Sequence, residues 1–162
     1  MDQPLIRIAT TSDLEEVCRM WWGLLDHQGS TGDGAPRNAE NESTAIEFLR
    51  NRILRKQVFI AEVGQEKIGI ASIAAEKSPF QGTPVIWNIA DVWVEENRRN
   101  TGVGRMLVHH CEQHAISQGA DEVRLTVHPS NEGAVAFYQR IGYTTQLLKL
   151  KKRFTETRRH PS

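Results

Sequence analysis

Gly102 and Gly104 stand two apart in the stretch RRNTGVGRMLV, residues 98–108, behind paired arginines and ahead of a run with the apolar spacing of a helix. Glycine and positive charge at a helix start are the makings of an anion site. The first N–H groups of a helix have no partner inside it and carry partial positive charge. Glycine lets them approach an anion without a Cβ in the way. A pyrophosphate is the guest such a turn suits, with Arg98, Arg99 and Arg105 adding charge around it. A plain strand-to-helix turn is the alternative, and a lone G-x-G does not separate the two. Two better-defined phosphate loops do not fit. Walker A needs G-x-x-x-x-G-K-[ST], and no such lysine follows; the dinucleotide fingerprint needs a third glycine where residue 107 is Leu. That fingerprint also belongs to a parallel βαβ unit, whereas a hairpin precedes this turn.

Other chemistry-bearing residues carry weaker signals. In HHCEQH, residues 109–114, His110 and His114 share a helix face, but Glu112 lies at the wrong offset for H-E-x-x-H, so no metal site is expected. Cys18 and Cys111 lack metal-motif spacing and read as reduced, packed thiols. Trp21, Trp22, Trp87 and Trp93 read first as core or interface anchors. Trp22, next to a long polar loop, and Trp87, on the central strand, are the two that could touch a substrate.

These residues need elements to hold them. LIRIA (5–9) alternates as a half-buried strand does. Ser12 and Glu15 make a capping-box pattern, and Leu14, Val17, Trp21, Leu24 and Leu25 follow at helical spacing, giving a helix over 12–26. Residues 27–41 read as a loop, and Ile46, Leu49 and Ile53 mark a second helix over 43–55. QVFIAEV (57–63) and KIGIASIAA (67–75) flank Gly64 as a hairpin, and VIWNIADVWV (85–94) is a third hydrophobic strand. A helix over 103–118 closes at Gly119; a strand (121–127), a helix (131–141) and a last strand (143–151) complete the chain. Hairpin first, then β-α-β-α-β, argues for one α+β domain with a mixed sheet, over residues 1–153, and a polar tail, 154–162.

Composition sets outer bounds. The 162 residues suit one domain with its own core. Formal net charge is zero, which disfavours a broad nucleic-acid surface. No apolar run approaches the ~20 residues of a membrane span, and the N-terminus lacks a signal-peptide pattern, so a cytoplasmic protein is expected.

The glycine turn does not stand alone. From Val92 to Gly104 the chain reads V-x-V-(x)4-R-x-x-G-x-G, and NEGAVAFYQRIGY follows downstream with Asn131, Ala134, Phe137, Tyr138, Gly142 and Tyr143. In order and spacing these resemble the GNAT superfamily of acyl-CoA-dependent N-acetyltransferases. The resemblance covers about residues 57–150 and implies a mixed, mostly antiparallel central sheet flanked by helices. It implies that N–H groups from Asn100 to Arg105, including Gly102, Val103 and Gly104, hold the pyrophosphate of acetyl-CoA, with Arg99 in the motif's first position. Val92 and Val94 would bond the pantetheine arm through their backbones, across a gap opened where the family's strand often bulges. Asn131 resembles a residue that contacts the arm, and its place also suits an N-cap. Tyr138 matches the tyrosine that protonates the departing thiolate; a core aromatic is the other reading.

The implied reaction is direct acyl transfer to a primary amine. The oxyanion would take a backbone N–H near Val92 to Val94. Alkylammonium groups lose their proton near pH 10, so water or a carboxylate must accept it. Asp91 is the nearest carboxylate on the central strand, as base, amine anchor or structural acid. Ala90 stands where many relatives carry Glu, so this chain departs from the family pattern at that position. Glu95 and Glu96 read as solvated loop charges. The acceptor surface would come from the first two helices, the loop between them and the central strand. A small-molecule amine is the first expectation, with Asp26, Asp33 and Glu40 as weak pointers to a cationic acceptor. A protein N-terminus or lysine is the alternative; a non-catalytic acyl-CoA-binding module and a plain structural domain are rivals. The edge of the last strand offers one route to a homodimer.

Overall fold

A computed structural model describes residues 2–28 and 35–154. Two compact units divide the chain, residues 1–126 and 127–162. The first holds a five-stranded sheet: β1 (Leu5–Ile8), β2 (Val58–Val63), β3 (Glu66–Ala75), β4 (Ile86–Val94) and β5 (Glu122–Leu125). The strands lie side by side in chain order. The first four pair antiparallel, while β5 runs parallel to β4. A parallel neighbour needs a long crossover, and α3 (Val103–Ser117) supplies it. The mixed, mostly antiparallel sheet expected from the sequence is therefore the one observed.

Helices α1 (Leu14–Gln28) and α2 (Ala39–Leu54) cover one face of the sheet. Val17 and Met20 from α1, Leu49 and Ile53 from α2, and Val58, Ile60 and Ile70 from the strands form one buried cluster there. Alternation along a strand sends the neighbouring side chains the other way. Phe59 accordingly meets the rings of His110 and His114 on α3. Gly69 lies beneath the same helix, and an added Cβ there would sit 2.8 Å from the Trp93 carbonyl and 3.0 Å from Leu107.

A charge cluster ties β1 and β2 to the start of α1. Arg7 donates to both oxygens of buried Asp13, at 2.8 and 2.9 Å, and to Glu62, which also pairs with Lys67. The Arg7 guanidinium holds the Asp13 carboxyl well below the usual carboxylate range.

Three expectations are corrected. Entry to α1 is capped through Thr10 and Asp13, not Ser12 and Glu15: the Asp13 carboxylate accepts from the Thr10 backbone N–H at 2.8 Å, and the buried ion pair with Arg7 fixes it there. The loop placed over 27–41 is shorter. α1 runs on to Gln28, and Asn38 caps α2 by accepting from the Asn41 N–H at 2.8 Å, so the polar residues after it begin a helix with an exposed face. Residues 29–34 of that loop, Asp33 among them, lie outside the described residues, as do 155–162 of the tail. The last strand does not form: residues 144–154 carry no strand, with Leu147, Leu148 and Leu150 more than 80% exposed. Alternation needs a neighbouring ladder, and among the described residues this segment has none. Among the described residues, residues 143–151 thus offer no strand edge of the kind invoked for a homodimer.

Within the second unit, α4 (Glu132–Arg140) follows Asn131, whose side chain accepts from the Ala134 N–H at 3.2 Å as an N-cap. No described helix is long and apolar enough to cross a membrane.

Candidate active site

Strand β4 carries one residue more than its partner. Ser72 pairs with Asp91 and Ile73 with Ile89, which leaves Ala90 unopposed in a β-bulge. β5 departs at the same point, its last paired residue, Leu125, lying opposite Ile89. Beyond Ala90, β4 has β3 on one side and, among the described residues, no strand on the other. The ladder also fixes where the backbone points. The Glu95 N–H donates to the Ile68 carbonyl at 2.9 Å, and hydrogen-bonded pairs alternate along an antiparallel ladder. Asp91 and Trp93 therefore aim their backbone groups at β3, and Val92 and Val94 aim theirs at the open side.

The glycine turn lies directly downstream. A short 3-10 turn, Glu96–Arg98, leads to Asn100 at φ 60° and Gly102 at φ 90°, both left-handed. A Cβ on Gly102 would meet nothing within 4 Å, so the space before the turn is open, and only φ demands glycine there. The Gly102 carbonyl accepts the first N–H bond of α3, from Met106 at 3.0 Å. The N–H groups of Val103, Gly104 and Arg105 precede it and have no intrahelical acceptor. The open edge of β4 thus runs into a helix start.

The arginines around the turn divide their tasks. Arg98 is paired to Glu66 at 2.8 Å. Arg99 turns back along β4: its Nε donates to the Val94 carbonyl at 3.0 Å and its guanidinium lies 4.6 Å from the centre of the Trp93 ring. Arg105 is exposed. Glu95, read as a solvated charge, instead pairs with Arg19 of α1 at 2.6 Å.

Asp91 is half-buried and committed on one oxygen. Its Oδ2 accepts from the Ser72 hydroxyl at 2.5 Å and lies 3.6 Å from Arg52 of α2. Arg52 in turn donates to the Ser72 oxygen at 2.7 Å. Sequence reasoning missed both partners. Ser72 is a lone hydroxyl in an apolar strand run, a signal that could have been read; Arg52 looks like any other surface arginine of a helix.

The two tryptophans singled out for substrate contact have other surroundings. Trp22 is only 4% exposed, edge-on to Trp21 and covered by the Arg37 guanidinium 5.2 Å from its ring centre. Trp87 packs 5.3 Å from the His114 ring on α3, the face away from α1 and α2. His114 is thereby held between Phe59 and Trp87, and His110 Nδ1 is bonded to the Met106 carbonyl at 2.8 Å. Cys111 is fully buried, which pushes its thiol up to about 12.

The remaining candidates belong to the second unit. Besides Asn131, Tyr138 on α4 packs its ring 5.0 Å from Phe137 and 5.7 Å from Tyr143, and its carbonyl accepts from the Tyr143 N–H at 3.0 Å.

A profile of the acetyltransferase (GNAT) family matches residues 19–143. An uncharacterized N-acetyltransferase of Methanocaldococcus jannaschii is 26% identical over 85 residues, 52% of this chain and 38% of that relative. The matched segment is thus well under half of that relative's length. A transcriptional regulator from Bacillus halodurans C-125 shares the fold with a TM-score of 0.76 at 22% identity, covering 94% of this chain and all of that one. The aminoglycoside N-acetyltransferase AAC(6')-Iy, solved with CoA, also has a TM-score of 0.76, at 18% identity, covering 95% of this chain and 97% of that one.

Proposed function

The chain belongs to the GNAT acetyltransferase family, and we propose that it transfers an acetyl group from acetyl-CoA directly to the primary amine of a small molecule. One observation carries this reading: the backbone of Val92 and Val94 faces away from β3, and the N–H groups of Val103 to Arg105, just past the glycine turn, have no intrahelical acceptor. A strand edge suits an amide-bearing arm, and a helix start suits a pyrophosphate. The cofactor set is Val92, Val94, Arg99, Asn100, Gly102, Val103, Gly104 and Arg105, joined by Asn131 and Tyr138 on the family pattern.

In the reaction the amine nitrogen attacks the thioester carbonyl carbon. A backbone N–H near Val92 to Val94 stabilises the oxyanion. The C–S bond then breaks, and Tyr138 gives the departing thiolate its proton. The proton lost by the amine goes to water or to Asp91. Both contacts of Asp91 fall on Oδ2, which leaves Oδ1 as the acceptor atom. We assign the acceptor side to the face covered by α1 and α2. Trp22 is a weak member of it, given its packing, and Trp87, which packs on His114 of α3, lies on the opposite face. The domain assignment stays at residues 1–153, with 154–162 as tail.

A second reading has its own observation. Asp91 is tied to Ser72 and Arg52, and Ala90 offers no carboxylate beside it. That favours a module that binds acyl-CoA without transfer. Calorimetric titration with acetyl-CoA, with NADH and ATP as controls, tests the shared premise. Thiol release over an amine panel that includes aminoglycosides and a lysine peptide then separates transfer from binding alone, and small from protein acceptors. Selective binding with amine-dependent thiol release is expected. No binding to folded protein would remove both readings.

A further inference from the structure

We infer that Arg52 and Ser72 are positioning residues that act through Asp91 to hold the bulge at Ala90, and with it the outward aim of the Val92 and Val94 backbone groups; the inference rests on the acyl-CoA reading above. A bulge breaks a ladder locally and persists where its surroundings over-determine it. Here the fixing groups sit at the register shift itself. Ser72 is the last residue of β3 before the shift, and Asp91 the first residue of β4 after the unopposed Ala90.

The chain of bonds has one possible direction. Arginine only donates, a carboxylate only accepts, and a hydroxyl does one of each. Arg52 therefore donates to Ser72 at 2.7 Å, and Ser72 donates to Asp91 at 2.5 Å. Three elements, α2, β3 and β4, meet in that line. Ser72 is 2% exposed, and the Arg52 and Asp91 side chains 18% and 14%, so water competes little for the bonds. The Arg52 guanidinium is held from another side by the Phe48 ring, 4.8 Å away.

The alternative to the bulge is a slip of one residue in β4. A slip reverses the direction of every group beyond it. Val92 and Val94 would then aim at β3, and the open side would receive the groups of Asp91 and Trp93. The line from Arg52 to Asp91 opposes that slip and bears on the arm-binding edge alone, since the glycine turn is built by its own φ angles.

The test is calorimetric titration of the unaltered chain, Ser72→Ala and Arg52→Met with two ligands. CoA has the pantetheine arm; 3′-phospho-ADP keeps the pyrophosphate and lacks the arm. Each variant is expected to weaken CoA about tenfold, in the range of a charge-assisted or buried hydrogen bond, and to leave 3′-phospho-ADP unchanged. Equal weakening of both ligands, or of neither, overturns the inference. Ser72→Ala removes a single oxygen and keeps the question answerable if Arg52→Met does not fold. Failure of the unaltered chain to bind CoA overturns the acyl-CoA reading and the inference with it, whereas CoA binding that the variants match overturns the inference alone.

Discussion

Trp87 and Trp93 stand six residues apart on one strand and face opposite sides of the sheet: Trp87 meets His114 of α3, and Trp93 lies against Gly23 of α1, 3.1 Å from where that residue's Cβ would be. An even separation on a regular strand puts both on one face. The bulge at Ala90 is what divides them. Deleting Ala90 should therefore turn one tryptophan out of its packing and cost several kcal/mol, on the order of a large core truncation. Ala90→Ser keeps the residue count and should stay within ~0.5 kcal/mol of the parent. Denaturant titration of the two variants reads the difference, and similar stabilities would detach the bulge from the tryptophan packing.

Gly102→Val should abolish CoA binding while leaving a folded protein. A Cβ at this position meets nothing within 4 Å, but φ 90° is strained for any β-branched residue, and the turn must move. Calorimetry with acetyl-CoA beside a melting curve checks both halves. Retained affinity would take the turn out of the site.

Tyr138→Phe should lower turnover by roughly 100-fold, a usual contribution for a proton donor, with affinity for acetyl-CoA largely kept. The ring contacts with Phe137 and Tyr143 survive the change, so the helix should stay packed. A pH–rate profile that matches the parent's would remove the acid role.

Acidification should weaken the first unit through the cluster at Arg7. Asp13 and Glu62 are both held below their ordinary values, chiefly by hydrogen bonds from Arg7. A group with a depressed folded pKa lends stability above its unfolded value and loses it as pH falls through the folded one. The melting temperature should accordingly fall as the pH drops below about 4. Asp13→Asn should cost about 2 kcal/mol at neutral pH, as a buried charge-assisted pair is broken, and should flatten the acid limb. An unaltered limb in that variant would place the acid sensitivity elsewhere.

Gly69→Ala should destabilise the fold by about 1–3 kcal/mol. Its Cβ would press on the Trp93 carbonyl, which belongs to the backbone and cannot rotate away. Thermal melting measures it, and a shift of under 1 °C would mean that α3 yields more readily than its contacts suggest.

What could be read from the sequence depended on how local the cause was. The hairpin at Gly64 and the end of α3 at Gly119 were legible because each needs a left-handed residue, φ 58° and 80°, that glycine supplies. The glycine turn was legible for the same reason. The open backbone at Val92 and Val94 came only through the family resemblance, since the residue that creates it is an alanine with no mark of a bulge. Trp87 was singled out for its place on the central strand, which does not reveal that its side chain packs on α3. The partners of Asp91, Asp13 and Glu95 were out of reach because each lies on another element: Arg52 on α2, Arg7 on β1, Arg19 on α1. The final strand failed in another way: the segment was read as a strand from its residues, but among the described residues the ladder it required is missing.

The outward row on β4 has a consequence for solubility. Unclaimed N–H and C=O groups along a strand are an invitation to any extended chain, and long rows of them seed aggregation. Here the row is only two residues deep, from Val92 to Val94, and Arg99 already occupies one of its carbonyls. A foreign strand would find too few consecutive partners to zip onto it. A slender molecule with two amides in line needs no more. On the acyl-CoA reading proposed above, the shortness of the gap would favour small guests over other polypeptides, with backbone alone.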